Sequence, residues 1–179
     1  MRHDELLEQT CAIGRAGAIV GERWVFAILR AAFFRARTFE DYQRGTGVAR
    51  NILAERLGRL VDFGILERVP YAEGARRTRH EYRLTEAGRD LYPVVIALME
   101  WGNKHTGLVD GPPVVLHHKR CNHVSHPQVV CSECGEPVDA RDFQPLPGPG
   151  APRETPPWAE PAVRHAHRKA AAPTAPPRA

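Results

Sequence analysis

Residues 38–84 read TFEDYQRGTGVARNILAERLGRLVDFGILERVPYAEGARRTRHEYRL. Thr38 is followed three residues later by Asp41, the signature of a capping box, so a short helix is expected to open at Phe39. Gly45-Thr46-Gly47 should end it. Residues 50–63 then carry Leu53, Leu57, Leu60 and Val61 at helical spacing, with Gly64 as a C-terminal stop. Ile65–Tyr71 and Glu81–Leu84 are β-branched or alternating and flank a polar turn containing Gly74, which predicts a hairpin. Helix, glycine-containing turn, helix, hairpin is the order of a winged helix-turn-helix.

The chemistry of the exposed positions fits duplex DNA. A major groove about 12 Å wide admits one helix with its side chains. The preceding helix must brace it, here through Phe39 and Tyr42 against Leu53 and Leu57. With those faces turned inward, Arg50, Asn51, Glu55 and Arg59 are expected on the outer side. Arginine can donate two bonds to guanine and asparagine can pair with adenine, and recognition uses the helix's first residues. Arg50 and Asn51 are therefore the base-contact candidates. Arg76, Arg77, Arg79 and His80 cluster at the hairpin turn, where cations can reach phosphates or the minor groove.

Outward from this stretch, Cys11–Val20 places Ala12, Ile13, Ala16, Ile19 and Val20 at helical spacing, and Arg23–Phe34 does the same with Val25, Ile28, Leu29, Ala32 and Phe33. Thr85 is expected to cap a long final helix running to about Lys104, bent where Pro93 removes a hydrogen bond. The fold class is thus mainly α with a small β-hairpin wing, residues 9–106 forming the DNA-binding domain. The 25 Lys and Arg against 21 Asp and Glu leave a net charge of +4, which favours anionic partners. No apolar run reaches the roughly 18–20 residues needed to cross a membrane, and no signal peptide is legible, so a cytoplasmic protein without membrane contact is expected. An enzyme would need an open metal position or a polar pocket with an acid/base pair, and neither can be read.

Residues 107–143 hold three of the four cysteines and four of the nine histidines. Cys131-x-x-Cys134-Gly135 is the turn used by zinc ribbons, which aims two sulfurs at one ion while backbone amides stabilise their charge. Cys121 and His123 complete the expected tetrahedral set, with His126 as the substitute nitrogen ligand. A structural zinc on Cys121, His123, Cys131 and Cys134 is the expectation; a reduced metal-free loop and a redox dithiol are the alternatives. From 144 to 179 proline and alanine dominate, ten of the sixteen prolines falling there, and a disordered tail is expected.

Cys11-Ala-Ile-Gly-Arg-Ala, Gly21-Glu-Arg-Trp24, Arg37-Thr-Phe-Glu, Leu53-Ala-Glu-Arg-Leu-Gly-Arg-Leu60, Gly64-Ile-Leu-Glu-Arg68, Tyr82-Arg-Leu-Thr-Glu-Ala-Gly88 and Trp101-Gly102 occur in the order found in HxlR-type regulators, which the chain resembles over about residues 9–106. These form a branch of the wider MarR-like winged-helix group. The wing is longer and richer in arginine than is usual there. The resemblance implies a homodimer joined through the N-terminal and last long helices and bound to a pseudo-palindromic promoter site, with repression the expected mode. It also implies a small-molecule or electrophile effector and makes Cys11 a redox candidate, since some members sense oxidants at that position; an inert packed thiol is the other reading of Cys11. Competing with DNA recognition is a winged-helix protein-interaction module carrying a zinc-ribbon adaptor.

Overall fold

The computed structural model describes residues 7, 8, 10–71, 79–146, 148–151, 153, 154 and 160. The chain divides into two units, Met1–Gln128 and Val129–Ala179, so the division falls inside the stretch that composition groups as 107–143. Most of the expected disordered tail lies outside the described residues.

The first unit opens with α1 (Ala12–Val20) and α2 (Val25–Phe33). The predicted first helix starts one residue late because Cys11 is its cap: the Gly14 N–H donates to Cys11 Sγ at 3.4 Å. Next comes α3 (Phe39–Thr46), which carries the expected capping box. The Asp41 N–H donates to Thr38 Oγ1 at 3.2 Å, and the Thr38 N–H donates back to Asp41 Oδ2 at 3.0 Å. Gly47, at φ +68, turns the chain left-handed, a conformation that costs glycine nothing, and leads it into α4 (Arg50–Asp62). The wing is β1 (Leu66–Tyr71) paired antiparallel with β2 (Arg79–Leu84), Leu66 opposite Leu84 and Tyr71 opposite Arg79.

The core lies where these elements meet. Val25, Ile28 and Leu29 of α2, Tyr42 of α3, Leu53, Leu57 and Leu60 of α4, and Leu66 of β1 are all essentially inaccessible. Val25, Ile28 and Leu29 stand at i, i+3 and i+4 of α2, and Leu53, Leu57 and Leu60 at i, i+4 and i+7 of α4, the spacing that gathers each set on one face. Each large aliphatic side chain buried in this way contributes about 1.5–3 kcal/mol. Tyr42 also couples the helices to the wing. Its hydroxyl donates to the Tyr82 carbonyl at 3.3 Å, its ring meets that of Tyr82 edge-on at 6.1 Å, and burial pushes its pKa up to about 12.

One expectation is corrected. Instead of a single bent helix after Thr85, the chain forms α5 (Glu86–Asp90) and α6 (Tyr92–His105), which meet at Leu91. Pro93 stands in the first turn of α6, where no backbone N–H is needed, so it starts a helix rather than bending one. Gly88 allows α5 to sit against the entry to the wing: a Cβ there would lie 2.1 Å from the Ile65 carbonyl oxygen. Beyond α6 the first unit ends in a small antiparallel pair, β3 (His117–His118) and β4 (His123–Val124). In the second unit Val130 bridges Pro137, the Cys131 N–H donates to the Glu136 carbonyl at 2.8 Å, and Asp139 and Arg141 form an ion pair at 2.7 Å.

Candidate nucleic-acid interface

With Leu53, Leu57 and Leu60 buried, α4 turns its other side to solvent, and Arg50, Asn51 and Glu55 are exposed there as expected. No side chain caps the start of α4, which leaves its first-turn N–H groups and the positive end of the helix dipole open to an anion. The free chain holds Arg50 in a definite place. Its guanidinium lies 4.8 Å from the centre of the Phe39 ring, and its Nη1 donates to Gln43 Oε1 at 2.9 Å. Glu55 is bonded to Arg56 at 2.5 Å.

Arg59 departs from the sequence expectation. It does not point outward: its Nη1 donates to Glu22 Oε1 at 2.7 Å, its Nη2 donates to the Ala18 carbonyl at 3.3 Å, and it covers the Phe63 ring. Arg56 pairs with the other Glu22 oxygen. Glu22, which precedes α2, is thus gripped by two arginines one turn apart on α4, and the grip fixes the roll of that helix. Sequence reasoning missed Glu22 and Arg56. The spacing of Arg56 and Arg59 puts both on one face, but nothing in the sequence pairs that face with a carboxylate so far upstream.

In the wing, Arg79 and His80 are strand residues rather than tip residues, opposite Tyr71 and Pro70. Arg76 and Arg77 lie outside the described residues. A cleft of about 620 Å³ lies between the wing strands and the start of α3, lined by Thr38, Phe39, Glu40, Arg68, Tyr71, Arg79, His80 and Tyr82. Two of the eight are arginines, set against the single carboxylate of Glu40. The start of α4, through Arg50 over Phe39, the supporting helix and the arginines of the wing strands therefore border one region of the first unit.

Two faces remain apolar and open. On α1, Ile13 is 84% exposed; on α6, Val94, Leu98 and Trp101 are exposed, the last by 59%. A groove of about 540 Å³ runs between α2 and α6, lined by Phe26, Phe33, Phe34, Tyr92, Val95 and Met99 among others. Cys11 is half-buried, its sulfur engaged at the start of α1.

The cysteine–histidine segment differs in detail from its expected ligand set. His123 lies in β4, while the imidazole nearest Cys121 belongs to His118, its Nδ1 at 3.2 Å from Cys121 Sγ. His126 faces Glu100 of α6 at 3.4 Å. In the second unit the backbone N–H groups of Cys134 and Glu133, together with the Cys134 side chain, draw the Cys131 thiol below its ordinary pKa, as a metal-ligating or reactive sulfur requires. Among the described residues no three His, Cys, Asp or Glu side chains gather closely enough to hold a metal ion.

Helix-turn-helix, hairpin wing and an exposed polar face on the second helix define a winged helix-turn-helix protein. Residues 19–109 match the HxlR-like helix-turn-helix family, and the chain belongs to it. It is 46% identical over 139 residues to an uncharacterized HTH-type transcriptional regulator, Rv3095, of Mycobacterium tuberculosis, covering 78% of this chain and 87% of that one. The family match takes 91 of the 139 aligned residues and only 18 precede it, so at least about thirty lie beyond it, in the segment after α6. Among solved structures the chain is similar to PA1607, studied as a candidate transcription factor, at 32% identity and a TM-score of 0.70 over 79% of this chain and 98% of that one. It is also similar to the candidate transcription factor PA1374 of Pseudomonas aeruginosa, at 32% identity and a TM-score of 0.56 over 80% and 96%. The protein is a helix-turn-helix transcriptional regulator. Among the described residues no helix is long and apolar enough to cross a membrane.

Proposed function

We propose that the protein binds a pseudo-palindromic promoter site as a homodimer and represses transcription from it, each subunit placing α4 in a major groove. The observation that carries this reading is the two-sidedness of α4: a fully buried leucine face opposite an uncapped first turn bearing Arg50 and Asn51. Phosphates would be met by that first turn, by Arg68, Arg79 and His80 of the wing strands, and by Arg76 and Arg77 between them in sequence. Dimerisation through α1 and α6 is supported by Ile13, Val94, Leu98 and Trp101, whose exposed apolar area a second copy would cover. The apolar groove between α2 and α6 could take a small hydrophobic effector, and Cys11 an electrophile.

A mobility-shift series on the DNA upstream of the protein's own gene, at several salt concentrations, tests this. We expect specific binding whose affinity falls with salt. Arg50→Ala or Asn51→Ala should cost about 1–3 kcal/mol on the specific site and little on random DNA, whereas wing substitutions should weaken both alike. Binding that is neither specific nor salt-dependent would leave the interaction-module reading in its place.

We further infer that the segment after α6 holds a structural zinc. Three cysteines, Cys121, Cys131 and Cys134, with neighbouring histidines at short spacing, supply the soft donor set that zinc favours. Bound zinc would cross-link the turns and take no part in chemistry. Its measure is elemental analysis of the purified, reduced protein, with about one zinc per chain expected.

A further inference from the structure

The chain builds one turn twice, thirteen residues apart (118 to 131). In the first unit, β3 and β4 pair with His117 opposite Val124 and His118 opposite His123. The Asn122 N–H donates to the His118 carbonyl at 2.8 Å, and the Ser125 N–H donates to the Leu116 carbonyl at 2.9 Å. In the second unit, Val130 bridges Pro137 antiparallel, the Gly135 N–H donates to the Cys131 carbonyl at 2.9 Å, and the Val138 N–H donates to the Val129 carbonyl at 2.9 Å. Each contact of the first turn recurs in the second at the same offset.

The backbone agrees at the residue that decides the turn. Gly135 is left-handed at φ +75; its counterpart Asn122 is left-handed at φ +59, one of only two non-glycine residues with positive φ among those described. Asparagine is among the few side chains that tolerate this region. In this correspondence Cys121 takes the place of Cys134, and His118 takes the place of Cys131. His123, the sequence-based candidate, falls on Glu136, one residue past the left-handed position. The side chains follow the same order: the imidazole at hydrogen-bonding distance from Cys121 Sγ is that of His118.

We propose that His118, not His123, is the nitrogen ligand, and that the metal-binding elements are the like turns His118-x-x-Cys121-Asn122 and Cys131-x-x-Cys134-Gly135. Together they offer three thiolates and one imidazole, a complete donor count for structural zinc. His123 and His126 are then bystanders, the latter facing Glu100. This rests on the zinc reading above, and the two fail in different ways.

The test compares full-length wild type with His118→Ala, His123→Ala and His118→Cys, each purified reduced and titrated with Zn²⁺ against a chromophoric chelator and with Co²⁺ by absorption. Wild type and His123→Ala should each hold about one ion per chain. His118→Ala should bind at least about tenfold more weakly, since altering even a group behind a metal ligand costs about 10–100-fold. His118→Cys should restore tight binding and strengthen the thiolate-to-cobalt absorption, and it keeps the proposal falsifiable should the alanine variant aggregate. If wild type binds no zinc, the zinc reading itself falls. If zinc binds and His123→Ala loses it, or if His118→Ala keeps wild-type affinity, the assignment of His118 is overturned while the zinc stands.

Discussion

The winged helix and the segment after α6 are held together in different ways. Among the described residues, every buried hydrophobic side chain lies between Ala18 and Ile96, whereas Val115, Val124, Val129, Val130 and Val138 are all exposed. The winged helix is stabilised by leucine and tyrosine faces packed across three helices and a strand. The later segment has backbone hydrogen bonds, left-handed turn residues and clustered thiols. Hydrogen bonds that only replace bonds to water contribute little net stability. On the zinc reading proposed above, a metal would supply the cross-linking that apolar burial does not. One chain thus supports a reader on a hydrophobic core and an appendage with next to none.

The largest expected effect breaks the comparison at its core. Leu57→Ala, at a fully buried site on α4, should cost about 2–5 kcal/mol through lost transfer energy and the cavity left behind. Denaturant unfolding followed by tryptophan fluorescence measures this. Val124→Ala, on an exposed strand residue, should change the same transition by less than about 0.5 kcal/mol. Chelation should do the converse, exposing the 121–134 thiols to titration while leaving the main unfolding transition in place. A common loss of both on chelation would show that the two regions share one source of stability.

A smaller effect concerns the carboxylate grip on α4. The Glu22, Arg56 and Arg59 side chains retain 16%, 21% and 28% of their exposure, so the cluster lies between a surface ion pair and a buried one. Glu22→Gln keeps the shape and removes the charge, and should cost about 1–2 kcal/mol of stability. It should also weaken specific DNA binding, because Arg50 and Asn51 ride on the helix that Glu22 holds. If stability falls while specific affinity is untouched, the grip is only structural.

The sequence exposed the parts that depend on local pattern. The Thr38 and Asp41 cap, the leucine face of α4, the register-forming hairpin and the exposed start of α4 all follow from neighbours within a few residues. What it hid depends on distance or on competing local rules. Arg59 reads as an outward cation until Glu22 and the Ala18 carbonyl are brought to it. Pro93 reads as a kink because the pattern cannot reveal that a new helix begins at Tyr92. The approach of His118 to Cys121 was not legible, because it accompanies a left-handed turn at Asn122 that residue spacing does not announce.

The smallest expected effect sharpens the comparison through pH. Two carboxylates are held below their ordinary pKa, one in each region. Asp41 is lowered chiefly by the Thr38 backbone N–H and hydroxyl, with Arg44 and the Arg37 N–H adding to it, and Asp139 is lowered to about 2 chiefly by the Arg141 side chain. A carboxyl whose folded pKa lies below its unfolded value contributes its stability in full above the ordinary range near 4 and loses it as pH falls through that range toward the folded value. Asp41 caps a helix packed on the core, so Asp41→Ala should cost about 1 kcal/mol at pH 7. That difference from wild type should shrink steadily below about pH 4. Asp139 sits on an exposed turn beside no core, so Asp139→Ala should leave the main transition unmoved at every pH. Urea unfolding of both variants at pH 7, 5 and 3.5 separates these outcomes. An Asp41→Ala deficit as large at pH 3.5 as at pH 7 would show that the cap acts through packing rather than through its charge.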